Sequence, residues 1–232
     1  MKIYYAGLYE NVAEIYTLKD CGAKRLMLSY YYKNKEKQMI RFKENNFSIM
    51  MDSGAYSAWK KNIKIDINDY VKYLNDFEIK DCICLDVVGD AISSYKNQKY
   101  LENKGINSIP VFHYGCEFKY LEQLILDGYS YICLGGTVGL KRKERREFFE
   151  TCFRLYPEIK FHGLGMTDIE LMKDFDWYSV DSTTWLIGRK YSKLATLEGQ
   201  VKISNKLPVQ ERIAMNVKFF VELERIKNHI KC

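Results

Sequence analysis

The sequence predicts a (β/α)8 TIM-type barrel folded as one compact domain over residues 1–232, and three observations predict it. Short β-branched or aromatic runs alternate with longer amphipathic stretches from end to end, as repeated βα units require. Eight such runs can be counted, enough to close a barrel. Several of them stop on an acid, a histidine or a glycine, and the carboxyl ends of barrel strands are where loops build a catalytic face.

The runs are Lys2–Ala6, Arg25–Tyr30, Ser48–Asp52, Cys82–Asp86, Ser108–Phe112, Tyr131–Gly135, Lys160–Leu164 and Tyr178–Asp181. Helix candidates Ile67–Phe77, Ala91–Lys104, Phe118–Asp127, Lys141–Tyr156 and Asp168–Phe175 lie between them, each long enough to cross over to the next parallel strand. Pro208–Ile230 opens with proline in its first turn and repeats apolar residues at helical spacing, so it reads as a closing outer helix. An open doubly wound sheet is the alternative arrangement. With 47% hydrophobic and 28% charged residues, three prolines and no low-complexity tract, the chain has one core and no linker.

No apolar run approaches the ~20 residues of a membrane span, and Glu10 and Glu14 interrupt the amino terminus before signal-peptide length. Seven cysteines in no disulfide-framework spacing, with Cys82, Cys84 and Cys133 inside apolar strands, point to a reducing cytoplasm and no membrane partner. A net charge of +6 permits a polyanionic partner. The densest basic patch is Lys141-Arg142-Lys143 with Arg145-Arg146.

Asp52 leaves an apolar strand directly into Ser53-Gly54, a tight turn that glycine permits. Asp86 and Asp181 close two further strands. Three acids on one rim suggest either a metal site or carboxylates divided among nucleophile, acid/base and substrate recognition. His113 and His162 are the only strand-end histidines and no compact His/Cys ligand spacing appears, so no metal and no cofactor is expected. Gly135-Gly136 has the form of a loop that lets backbone amides approach a ligand.

Met51-Asp52-Ser53-Gly54-Ala55-Tyr56, Leu85-Asp86, Ile109–Gly115, Leu134-Gly135-Gly136-Thr137-Val138-Gly139 and Val180-Asp181-Ser182 resemble, in order, the active-site motifs of the tRNA-guanine transglycosylase superfamily. The resemblance implies that Asp181 is the nucleophile at a nucleotide's anomeric carbon and Asp52 the general acid/base. It implies that Asp86 reads the guanine edge, that the Gly135 and Gly136 amides meet its carbonyl, and that Tyr56 stacks on one face of the base with His162 at the other. His113 falls where the family usually has a base-binding glutamine, and Ser53 is grouped with the substrate-binding residues.

The family's tRNA enzymes carry a zinc-binding insertion. Here the segment after Asp181 has only His229 and Cys232 to offer, so no zinc site is expected. That departure favours the phage-type branch that places 7-deazaguanines, such as 7-cyano-7-deazaguanine, in DNA. The implied partners are DNA, with tRNA as the alternative, and a free 7-deazaguanine base; a helper protein, a homodimer and a non-catalytic nucleic-acid-binding barrel are left open. A guanine in duplex DNA must be flipped out, and Tyr56, Trp59, Tyr114 and Trp185 could offset that cost while Arg189-Lys190 and the 141–146 patch hold phosphates.

Overall fold

The structure, a computed structural model, describes residues 1–8, 11–33, 36–204 and 207–229. Its main sheet is built from β1 (Lys2–Tyr5), β2 (Arg25–Ser29), β3 (Ser48–Asp52), β4 (Asp81–Ile83), β5 (Ser108–Ile109), β6 (Val111–His113), β7 (Tyr131–Gly135), β8 (Lys160–Gly163) and β9 (Ser179–Ser182). All pairings in it are parallel, in the order β5-β4-β3-β2-β1-β9-β8-β7-β6.

The two edges of that order are halves of one strand. The run expected at Ser108–Phe112 divides at Pro110, which has no N–H to give to a ladder. β5 pairs with β4 on one side and β6 with β7 on the other. The Pro110 carbonyl still accepts from the Cys133 amide at 2.9 Å, while Ile109 O accepts from Cys84 N at 2.9 Å. The chain therefore passes from one neighbour to the other across Pro110, and the eight-fold barrel closes there.

Strand periodicity sorts the side chains. On β1, Ile3 and Tyr5 join the large core between strands and helices, whereas Tyr4, and Ala6 just past the strand's end, join a smaller cluster inside the barrel with Met27, Met50, Ile83, Ile109, Val111 and Cys133. By the same alternation Met51 and Val180 face the helices. Asp52, Ser179 and Asp181 consequently point inward. Register brings strand ends level: Ser29 opposes Asp52 and His113 opposes Gly135.

The helices are α1 (Val12–Asp20), α2 (Glu36–Glu44), α3 (Ala55–Lys60), α4 (Ile67–Asp76), α5 (Ala91–Asn103), α6 (Phe118–Leu126), α7 (Arg142–Leu155), α8 (Ile169–Asp174), α9 (Ile187–Tyr191) and α10 (Val209–His229). Asp66, Asp90 and Asp168 cap α4, α5 and α8 by accepting backbone amides, which fixes where those helices start. The expected helices agree with these to within a residue or two, and the expected end of α10 at Ile230 lies outside the described residues. An antiparallel hairpin, β10 (Lys193–Thr196) with β11 (Gly199–Lys202), follows α9 and was not anticipated. The fourth strand stops at Ile83, short of the expected Asp86, because the chain curls until Asp86 N donates to Cys84 O at 2.9 Å.

α10 covers the start of the barrel, where Glu224 accepts from Arg25 at 2.6 Å and from the Ile3 amide at 2.9 Å. Among the described residues no helix is long and apolar enough to cross a membrane.

Candidate active site

The carboxyl ends of the strands surround a cavity of about 600 Å³ whose lining includes Asp52, Asp86, Asp181, His113, Gly135 and Gly136. Five different strands or strand-end loops supply these six residues. α3 and the loops add Tyr56, Trp59, Lys60, Thr137, Val138 and Leu164. The floor is thus acidic and the mouth aromatic and apolar.

Asp52 sits in a turn that only glycine allows. Gly54 has φ +77°, and a Cβ there would lie 2.3 Å from Tyr31 Cβ. The same turn points the Gly54 amide at Asp52 Oδ2, 3.1 Å away. Burial, reinforced by the negative charges of Asp86 and Asp181, raises the Asp52 carboxyl to about 7 against the opposing pull of that amide. A carboxyl so placed can hold or release a proton near neutrality.

Asp86 is held from both sides. Ser53 donates to Oδ1 at 3.3 Å and His113 Nε2 lies 2.9 Å from Oδ2. Gly135 makes room for the imidazole, since a Cβ there would come within 2.9 Å of His113 Cδ2. Gly136, at φ +71°, turns the chain away immediately afterwards, with its would-be Cβ 3.1 Å from Tyr114 N. These glycines are therefore required for the close approach of β6 and β7 as well as lining the cavity.

Asp181 is 7% exposed, and both hydrogen bonds to its carboxylate fall on Oδ1: the Gly165 amide at 2.8 Å and His162 Nε2 at 3.3 Å. Gly165 was not singled out in the sequence; its only signal is the glycine-rich step after β8. Lys60 was also missed. It shares the mouth with Tyr56 and Trp59, with Nζ 5.1 Å from the Tyr56 ring centroid, and the two rings are 6.0 Å apart.

Several expected roles do not match the positions found. His162 is fully buried behind Asp181 and does not line the cavity, so it offers no face to a base. Ser53 is likewise buried and reaches only Asp86 and the Ala55 amide. Trp185 is buried, donating to Ala6 O at 2.8 Å, and Tyr114 packs edge-on against Phe148, whereas Trp59 is 58% exposed.

The arginines of the basic patch have acidic partners. Arg142 reaches Asp168 at 2.7 Å and Glu170 at 2.6 Å, Arg145 reaches Asp168 at 3.2 Å, and Arg146 pairs with Glu170 and Asp174. Arg189 pairs with the buried Glu14. These arginines fasten helices together. No group of His, Cys, Asp and Glu suited to a metal ion occurs among the described residues; Cys232 lies outside them.

No family model matches the sequence, and no curated protein matches it. Solved structures do match. A tryptophan synthase alpha chain from Legionella pneumophila superposes with a TM-score of 0.61 at 8% identity, over 97% of this chain and 92% of that one. A phosphoribosylanthranilate isomerase from Thermotoga maritima gives 0.57 at 9%, over 96% and 99%. A 4-hydroxy-2-oxoglutarate aldolase gives 0.55 at 9%, over 94% and 92%. The likeness is to the fold.

These findings overturn the resemblance to the tRNA-guanine transglycosylase superfamily. Those three matching structures are a synthase, an isomerase and an aldolase, and no family model supports the motif reading. The physical reason is that each motif is an acid or glycine where a parallel strand meets its loop, a pattern that barrel architecture generates by itself.

Proposed function

We propose that this chain is a transglycosylase that exchanges guanine in DNA for a 7-deazaguanine base through a covalent aspartyl–sugar intermediate. The observation that carries the reading is the presence of three carboxylates around one cavity in unlike environments, Asp52 raised to about 7 and Asp181 receiving two hydrogen bonds on one oxygen. Displacement of a base from a sugar passes through an oxocarbenium-like transition state, which suits one ionised and one protonated carboxyl.

In this reading Asp181 Oδ2 attacks C1′ as the C1′–N9 bond breaks, and Asp52 gives its proton to the departing guanine at N7. The electron pair of the broken bond leaves with the base. Asp52, now a carboxylate, takes the N9 proton of the incoming base, whose N9 attacks C1′ and expels Asp181. Two displacements retain configuration. A 7-deazaguanine has no N7 to protonate, so the exchange runs toward its incorporation.

The choice of base follows from the donor pattern. A carboxylate such as Asp86, fixed by Ser53 and His113, accepts from the N1–H and 2-amino groups of guanine, whereas adenine presents an acceptor at N1. Tyr56 and Trp59 at the mouth are suited to stack on an unpaired nucleotide, and Lys60 to approach its phosphate.

Incubation with guanine-containing DNA and, separately, with tRNA in the presence of labelled 7-deazaguanine, followed by nucleoside mass spectrometry, tests the proposal. Label is expected in DNA, and neither Asp181→Ala nor Asp52→Ala should incorporate it. Label in tRNA alone would reassign the substrate, and neither label nor base release in either would contradict the reading.

A further inference from the structure

Behind Asp181 a buried hydrogen-bonded chain runs down the inside of the barrel. His162 Nε2 is 3.3 Å from Asp181 Oδ1, His162 Nδ1 is 2.7 Å from Ser179 Oγ, and Ser179 Oγ is 2.7 Å from the Tyr131 hydroxyl. His162 and Ser179 are fully buried. Strand alternation makes this possible, because Tyr131, His162, Ser179 and Asp181 all fall on inward positions of β7, β8 and β9, and His162 is in register with Ser179.

We propose that Tyr131, Ser179 and His162 are positioning residues that keep Asp181 ionised and leave its Oδ2 as the oxygen available for attack. The direction of the chain follows from the carboxylate. An ionised Asp181 can only accept, so His162 must carry its proton on Nε2; Nδ1 then accepts from Ser179, whose oxygen in turn accepts from Tyr131. Burial pushes the Tyr131 phenol above its ordinary range, so it stays protonated and can serve as the terminal donor. With the Gly165 amide also on Oδ1, Oδ2 has no protein donor among the described residues.

Other titratable groups face the chain from the elements packed around it. Asp52 on β3 and Asp86 after β4 are acids, His113 on β6 is engaged with Asp86, and the Cys133 thiol on β7 is pushed up by burial and by those same carboxylates. Tyr4 on β1 meets His162 edge-on at 6.0 Å between ring centroids. At the lower end Tyr178 lies against Tyr131, with Lys2 and Lys160 over its ring. Among these, the contacts that stabilise a charged Asp181 directly are Gly165 and His162, so removing the imidazole should release the acid toward its neutral form.

The inference rests on the nucleophile assigned to Asp181, but its test does not need a substrate. Carboxyl carbon NMR on protein labelled at aspartate, with the Asp181 signal assigned from Asp181→Asn, reads the titration midpoint directly. His162→Leu should raise that midpoint by about one pH unit, as expected for loss of one hydrogen bond to a charged carboxylate. Ser179→Ala and Tyr131→Phe should raise it by less, in that order. His162→Gln, whose amide nitrogen can replace Nε2–H, should restore most of the shift, an outcome a merely space-filling role would not give.

Should His162→Leu fail to fold, Ser179→Ala and Tyr131→Phe, which each remove a single hydroxyl, carry the same test. A midpoint unmoved in these variants would overturn the relay. Movement of the midpoint in a protein that exchanges no base would leave the relay standing and remove the proposed function instead.

Discussion

Asp52 carries a definite pH signature. Its carboxyl is raised from an ordinary value near 4 to about 7 in the folded protein, so the folded state holds a proton that the unfolded state has lost. Stability is therefore fully present below about 4 and falls as pH rises through 7. Asp52→Asn removes the buried charge and should stabilise the protein at pH 8 by roughly 1–3 kcal/mol while changing little at pH 4. Denaturant unfolding of both proteins at the two pH values checks this, and equal stability at pH 8 would contradict it. Asp52 and Asp181 were legible as strand-end acids in the sequence. What could not be read was that Asp52 is raised, because that depends on burial and on the approach of Asp86 and Asp181. His162 shows the limit most clearly: a strand-end histidine has the same sequence signature whether it faces a ligand or lies behind the acid that does.

At the scale of elements, the arginines of the basic run join α7 to α8. Asp168 is 8% exposed, accepts the α8 amides of Glu170 and Leu171, and meets Arg142 and Arg145. Asp168→Ala removes a helix cap and leaves two guanidinium groups without that partner, which should cost about 1–3 kcal/mol in unfolding measurements. The same logic predicts where the proposed DNA affinity resides. Lys60→Ala should lower the slope of log affinity against log salt by about 1, whereas Arg142→Ala should leave it unchanged; the opposite pattern would return the phosphate contacts to α7. A run of basic residues in the sequence fixes charge but not partners. The acids that pair with its arginines lie more than twenty positions away, at the cap and within the next helix of the barrel.

At the scale of the molecule, the alternation of strands and helices made the barrel legible from sequence, since periods of 2 and 3.6 are local properties. The closing point was not. Pro110 divides one expected strand into two halves that pair with different neighbours, and only three-dimensional pairing reveals that the sheet's edges are the same strand. The β10–β11 hairpin was missed for a related reason, as its four-residue strands carry no strong alternation and are half-exposed. Barrel closure is what gathers Asp52 from β3, Asp86 from the loop after β4 and Asp181 from β9 around one cavity, and the functional proposal depends on that convergence.

The most direct test of that proposal is to look for the covalent intermediate. Wild-type protein mixed with a short guanine-containing DNA strand and quenched in denaturant should show, by intact-protein mass spectrometry, an adduct equal to the protein plus the strand less one guanine. The adduct should disappear on addition of free guanine or a 7-deazaguanine and should never form with Asp181→Asn. An adduct that persists in Asp181→Asn would contradict the assignment of the nucleophile, and guanine release with no adduct from the wild-type protein would contradict double displacement itself.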